Sequence, residues 1–206
     1  KDNKEKRHKK SKIDIIEEPA KTANNDYKAR AIAVMGTAKK VGSTSFAIAL
    51  TKALVEKGNK VRIVDVGGGA KKWLRNDDIE CSNDIGILPG TITVFDMGRI
   101  IPDGVLPFAE HVFIVTDNGP DANPTIIMPY VAAKTYIIGT KGMDEDILYA
   151  LADLKMVKAL FSLPETSELI IAKQKGVGII PKKWQKSIEK AVQVVEKSEK
   201  NKNIII

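Results

Sequence analysis

The chain has 206 residues, 43% apolar and 29% charged, which suits one soluble α/β-sized core and excludes a collagen-like or low-complexity chain. No run of about 18 apolar residues exists, so no membrane-spanning helix is expected, and a single cysteine, Cys81, excludes an intramolecular disulfide and a cysteine-based zinc cluster. Two histidines, His8 and His111, leave little material for a histidine-centred active site, and the lone cysteine suits a reducing, cytoplasmic setting. The formal charge is +7, and residues 1–12 hold most of it, with seven Lys/Arg against two Asp/Glu.

Residues 1–29 read as a basic disordered tail and linker. The segment KDNKEKRHKKSK has charge without apolar periodicity, and suits either a solvated linker or an arm touching nucleic acid or an anionic membrane. Ile13, Ile15 and Ile16 form a short apolar patch within it. The chain opens on Lys1 rather than Met, so a further upstream segment is expected.

From residue 30 the pattern alternates. AIAVMG (31–36) is apolar throughout, as a strand buried on both faces requires. A loop follows, then a helix with Phe46, Leu50, Ala53 and Leu54 on one face and a stop at Gly58-Asn59. VRIVDV (61–66) is a second buried strand, closed by Gly67-Gly68-Gly69. ITVFDM (92–97), HVFIVT (111–116) and TYIIGT (135–140) are further strands. Residues 144–154 form a helix, 157–164 a strand, and 165–176 a helix ending at Gly176. Pro181 then opens a last helix with Trp184, Ile188, Ala191, Val192 and Val195 in one apolar stripe. Strands alternating with helices predict a three-layer, mostly parallel twisted sheet with helices on both faces over residues 30–206.

The loop after the first strand, Thr37-Ala38-Lys39-Lys40-Val41-Gly42-Ser43-Thr44-Ser45, opens a helix, where backbone N–H groups favour anions. A phosphate-binding loop of the G-x-x-x-x-G-K-[ST] kind needs its lysine on the β/γ-phosphates and its hydroxyl on magnesium. Gly42 and Thr44 match that pattern, whereas Thr37 stands at the first glycine and Ser43 at the lysine.

The stretch AVMGTAKKVGSTSFAIALTKALVEKGNKVRIVDVGG nevertheless resembles the opening of the ParA/MinD family of deviant P-loop ATPases. VFDMG resembles that family's Walker B strand end, HVFIVTDNGPDANP the strand and loop after it, and ALFSLP the approach to its base-contacting region. The resemblance spans residues 30–200 in order and spacing. It implies a nucleotide site at Lys39, Lys40, Val41, Gly42, Ser43, Thr44, Ser45, Asp65 and Asp96. Thr44 and Asp96 would serve magnesium only if a nucleotide binds, and Asp65 would stand in the family's water-positioning place. The family's signature lysine falls on Ala38, its two loop glycines on Lys39 and Lys40, and its loop lysine on Ser43.

With that charge stabilisation gone, efficient hydrolysis is not expected, and no catalytic residue is assigned. The resemblance then implies a pseudo-ATPase without a required cofactor, acting as a scaffold or localisation factor, as the TadZ/CpaE-like relatives do. A protein partner and a homodimer are implied, in the cytoplasm or at a membrane through a partner. Two alternatives stay open: a divergent ATP/ADP-Mg switch or ATPase in which Lys39 or Lys40 substitutes, and a DNA-binding partition-type protein. Asp65 and Asp96 suit turn-forming or capping as well as ligand contact, and Trp73 and Cys81 suit packing.

Overall fold

The computed structural model describes residues 29–99, 105–123, 125, 127–130 and 133–200, with side chains to 197. The basic tail, almost all of the linker, and the contacts expected of them lie outside the described residues. Seven strands, β1 (Arg30–Gly36), β2 (Val61–Asp65), β3 (Cys81–Ser82), β4 (Ile92–Asp96), β5 (His111–Thr116), β6 (Lys134–Gly139) and β7 (Lys158–Ser162), form one sheet in the order β3-β2-β4-β1-β5-β6-β7. Every pairing is parallel. The strands buried on both faces, β1, β2, β4 and β5, are the ones whose sequences run apolar without alternation.

Helices cover both faces, as the alternating pattern predicts. On one face α1 (Ser43–Glu56), the short α2 (Ala70–Trp73) and α5 (Gln185–Lys200) pack on Ile32, Val34, Ile63, Val94 and Phe113, and α4 (Glu168–Lys175) joins them through Ala172. Phe46 of α1 sits here fully buried, edge-on to Phe113 with ring centroids 5.4 Å apart. On the other face α3 (Glu145–Leu154) brings Leu148 and Ala152 against Ile114 and Ile137. The rest of that face is closed by irregular chain through Val105, Ala109 and Ile127. Among the described residues the β4–β5 and β5–β6 connections contain no α-helix, only a 3₁₀ turn at Leu106–Phe108 and a single 3₁₀ residue at Thr125.

Expected and observed elements agree to within a few residues at their ends. Pro181 differs slightly from expectation: it leads a 3₁₀ turn, Lys182–Trp184, before α5 starts at Gln185. The elements not expected, α2 and β3, are four and two residues long. Gly176 closes α4 in the left-handed conformation (φ 78°), and Arg75 wraps this end, donating to the carbonyls of Lys173 and Gln174.

No helix among the described residues is long and apolar enough to cross a membrane.

Candidate functional site

Parallel strands put their C-terminal ends on one edge, and the site lies where β1 has neighbours on both sides. The register aligns Val34 of β1 and Asp65 of β2 with Asp96 of β4. Beyond Gly36 the chain turns into the loop before α1. Thr37 is fully buried: its N–H donates to the Val115 carbonyl at 2.9 Å, and its hydroxyl bonds that of Thr116 at 2.8 Å.

The loop is packed from beneath by apolar side chains. Ala38 and Val41 are buried, and a Cβ on Gly36 would lie 2.7 Å from Val41 Cγ2. The Thr140 hydroxyl, from the end of β6, donates to the Val41 carbonyl at 2.6 Å. Lys40 holds a left-handed backbone (φ 61°), uncommon for a residue with a side chain, and both Lys39 and Lys40 are exposed. Gly42 is also left-handed (φ 98°) and caps α1 without a side-chain hydrogen bond. Among the described residues nothing accepts from the N–H groups of Ser43, Thr44 and Ser45. They and the positive end of the helix dipole make this first turn attractive to an anion.

Thr44 leaves that turn toward the strand ends. Its hydroxyl lies 2.9 Å from the Gly68 carbonyl and 3.3 Å from Asp96 Oδ1, and has one proton to share between them. Asp96 has no exposed surface, and its Oδ2 takes no hydrogen bond among the described residues. Burial pushes its pKa up to about 6 and the Asp65 carboxylate adds to this, while the Thr44 hydroxyl and, more weakly, the nearby Gly98 and Ala70 N–H groups oppose it. Close approach explains Gly68: a Cβ there would fall 1.9 Å from Asp96 Oδ2.

Asp65 is placed differently. Its Oδ1 accepts from the N–H groups of Gly68 (3.1 Å) and Gly69 (2.9 Å), and its Oδ2 from Lys71 N–H (3.0 Å). Both oxygens are thus engaged in shaping the glycine turn and starting α2. Cys81 stands half-buried nearby, its thiol pushed up to about 11, mainly by burial and then by the Asp65 charge. It is held as a thiol, which suits packing.

A cleft of about 450 Å³ opens beside the loop, running from Lys40, Gly42 and Ser45 past Lys141 to Pro164 and Trp184. Its size suits a small ligand of nucleotide dimensions. Trp184 is fixed there by its indole N–H, which donates to the Pro164 carbonyl at 2.8 Å. Lys141, left-handed at φ 54°, pairs with Asp117 at 2.5 Å.

The structure therefore brings together Thr44 and Asp96, and separately Lys40, Gly42 and Ser45 along the cleft. Ser43, at the position of the loop lysine, is buried. The donor set fits a magnesium corner, because the Thr44 hydroxyl reaches Asp96 Oδ1 while the buried Oδ2 of the same carboxylate is left without a partner. It does not reproduce the ammonium that neutralises β/γ-phosphates. No group of three or more His, Cys, Asp or Glu side chains that could hold a metal alone occurs among the described residues. Thr116, Thr140 and the Asp117–Lys141 pair were not singled out from the sequence, and Thr37 only as the residue at the first glycine, because each acts across the sheet on a distant partner.

No known family profile matches the sequence, and neither does any curated protein. Solved structures do match. A plasmid partition protein of Borrelia burgdorferi B31, bound to AMPPNP, is 13% identical with a TM-score of 0.64 over 83% of this chain and 100% of its own. A chain of the MinC:MinD cell division protein complex of Aquifex aeolicus is 15% identical, with a TM-score of 0.61 over 82% and 96%. A ParA family ATPase of Chlorobium tepidum is 12% identical, with a TM-score of 0.60 over 78% and 97%. A seven-stranded parallel sheet with this order, a loop entering α1 and acidic strand ends beside it give the chain the fold of the ParA/MinD-type P-loop ATPases.

Proposed function

We propose that this chain is a non-hydrolysing ParA/MinD-like domain, a cytoplasmic scaffold or localisation factor of the TadZ/CpaE-like kind that acts through protein contacts. The carrying observation is the pair Ser43 and Ala38. At the two places where a working loop of this family needs an ammonium, a buried hydroxyl and a buried methyl stand instead. Loss of one such charge from a phosphoryl transition state lowers the rate by about three orders of magnitude. A role through protein contacts is supported by the MinC:MinD complex among the structural neighbours.

A second reading, a nucleotide-binding switch without turnover, is favoured by the free first-turn N–H groups and the adjoining cleft with Lys40 on its wall. The AMPPNP-bound partition protein supports it. In that case a bound magnesium nucleotide supplies its own divalent charge, Thr44 and Asp96 hold the metal, and the α1 amides receive phosphate.

Phosphate release and calorimetric titration with ATP and ADP, each with and without magnesium, test both. The expected result is phosphate release at background level, with Ser43→Lys tightening ATP·Mg binding by about tenfold or more. Magnesium-dependent turnover by the unmodified protein that Thr44→Ala removes would refute the non-hydrolysing reading. Micromolar binding without turnover, abolished by Thr44→Ala, selects the switch.

A further inference from the structure

The cleft beside the loop has three charged residues on its wall, Lys40, Lys141 and Glu165, and they are not equivalent. Glu165 follows Pro164 at the end far from the loop. Lys141 pairs at 2.5 Å with the buried Asp117 carboxylate, so its charge is already matched. Lys40 stands at the loop end with Gly42 and Ser45, and its ammonium enters no ion pair or hydrogen bond among the described residues. Its neighbour Lys39 is exposed but is not on the cleft wall.

The backbone singles out the same residue. Lys40 is left-handed (φ 61°), one of three residues other than glycine with positive φ among those described. Glycine takes this conformation freely, whereas a residue with a Cβ crowds its own carbonyl. The turn would therefore form more easily without the lysine, and its geometry does not account for the side chain.

The surroundings do. The first turn of α1 presents the unaccepted N–H groups of Ser43, Thr44 and Ser45. Thr44 leads inward to Asp96, whose fully buried Oδ2 has no partner among the described residues and is stabilised by a cation. A magnesium-bound phosphate meets both demands, with oxygens for the amides and a metal for the carboxylate. Ser43 and Ala38 bring no ammonium to such a ligand, and Lys40 is the one uncommitted cation on the cleft wall.

The geometry points to Lys40 as the phosphate anchor of the cleft, its ammonium pairing with the phosphates of a nucleoside di- or triphosphate seated on the α1 amides. This rests on the nucleotide-binding reading above and names the residue that makes up the charge missing at Ser43. The lysine serves the ligand and not the turn, so removing it harms binding without harming stability.

Calorimetric titration of the full chain with ADP and with ATP, each with magnesium, is the test, together with urea unfolding in the absence of nucleotide. Lys40→Gly is expected to weaken binding by about tenfold or more, with a urea midpoint at least as high as that of the unmodified protein. Lys40→Arg keeps the charge and is expected to bind within about threefold of the unmodified protein. Lys39→Ala is expected to weaken binding less than Lys40→Gly does. Undiminished binding by Lys40→Gly overturns the proposal, and so does a loss in Lys40→Arg as large as in Lys40→Gly. The reverse order of the two lysines, or a lowered urea midpoint in Lys40→Gly, overturns it as well. If the unmodified protein binds neither nucleotide, the nucleotide-binding reading falls and the anchor with it, whereas binding indifferent to Lys40 removes the anchor alone.

Discussion

Asp96→Asn isolates the electrostatics of the strand ends. The carboxyl group has no exposed surface and its pKa is raised from 3.8 to about 6, first by burial. Between these two values the folded state binds more protons than the unfolded one, so stability falls as pH rises through that window. Above about pH 6 the folded protein carries the full penalty of a buried charge, and below about pH 4 it carries none. A shift of about two units corresponds to about 3 kcal/mol, which is an upper figure once local relaxation is allowed. Asparagine keeps an oxygen for the Thr44 hydroxyl and cannot ionise. Urea unfolding of both proteins near pH 4 and near pH 8 gives the difference between them, which cancels the titrating groups that do not sense the Asp96 charge. The variant is expected to gain about 2–3 kcal/mol over the unmodified protein between the two conditions. A difference constant to within about 0.5 kcal/mol would show that Asp96 titrates normally and would refute the reasoning.

Three further substitutions test the packing. Gly68→Ala puts a methyl 1.9 Å from the fully buried Asp96 carboxylate, whereas Gly69→Ala meets nothing within 4 Å and suffers only its left-handed backbone (φ 97°). The first is expected to cost about 2–4 kcal/mol and the second about 1 kcal/mol in urea unfolding, and the reverse order would be decisive against the close approach. Phe46→Ala removes a fully buried ring wedged between Phe113 and Phe161, and is expected to cost about 3–5 kcal/mol with no change in the urea m-value.

The elements legible in the sequence were those whose residues all answer one demand. AIAVMG and HVFIVT read as strands because both faces of β1 and β5 are covered, and α5 reads as a helix because its buried residues, Ile188, Ala191, Val192 and Val195, fall on one side. β3 and α2 were not legible, since a two-residue pairing and a single turn leave no periodicity. At the candidate site the altered loop positions were readable, but their surroundings were not. That Thr140 would hold the Val41 carbonyl, across 99 residues of chain, follows from sheet order and cannot be read from either residue. Asp65 shows the same limit: an acid at a strand end suits a ligand or a turn, and only the three N–H groups around it show which contacts it makes.

The strand order has a consequence for how the protein is made. β1 leaves the ribosome first among the described strands, yet it pairs with neither of the next two. Its neighbours are β4, where Arg30 faces Ile92, and β5, where Ile32 faces His111. The central strand, apolar on both faces, therefore waits until residues 92–96 have been made before a hydrogen-bonding partner exists among the described strands. Until then the only sheet pairing open among the described residues is the two-residue contact of β2 with β3. Closure of so long a loop places this domain among slow folders, and makes residues 30–36 the stretch most in need of shielding during synthesis.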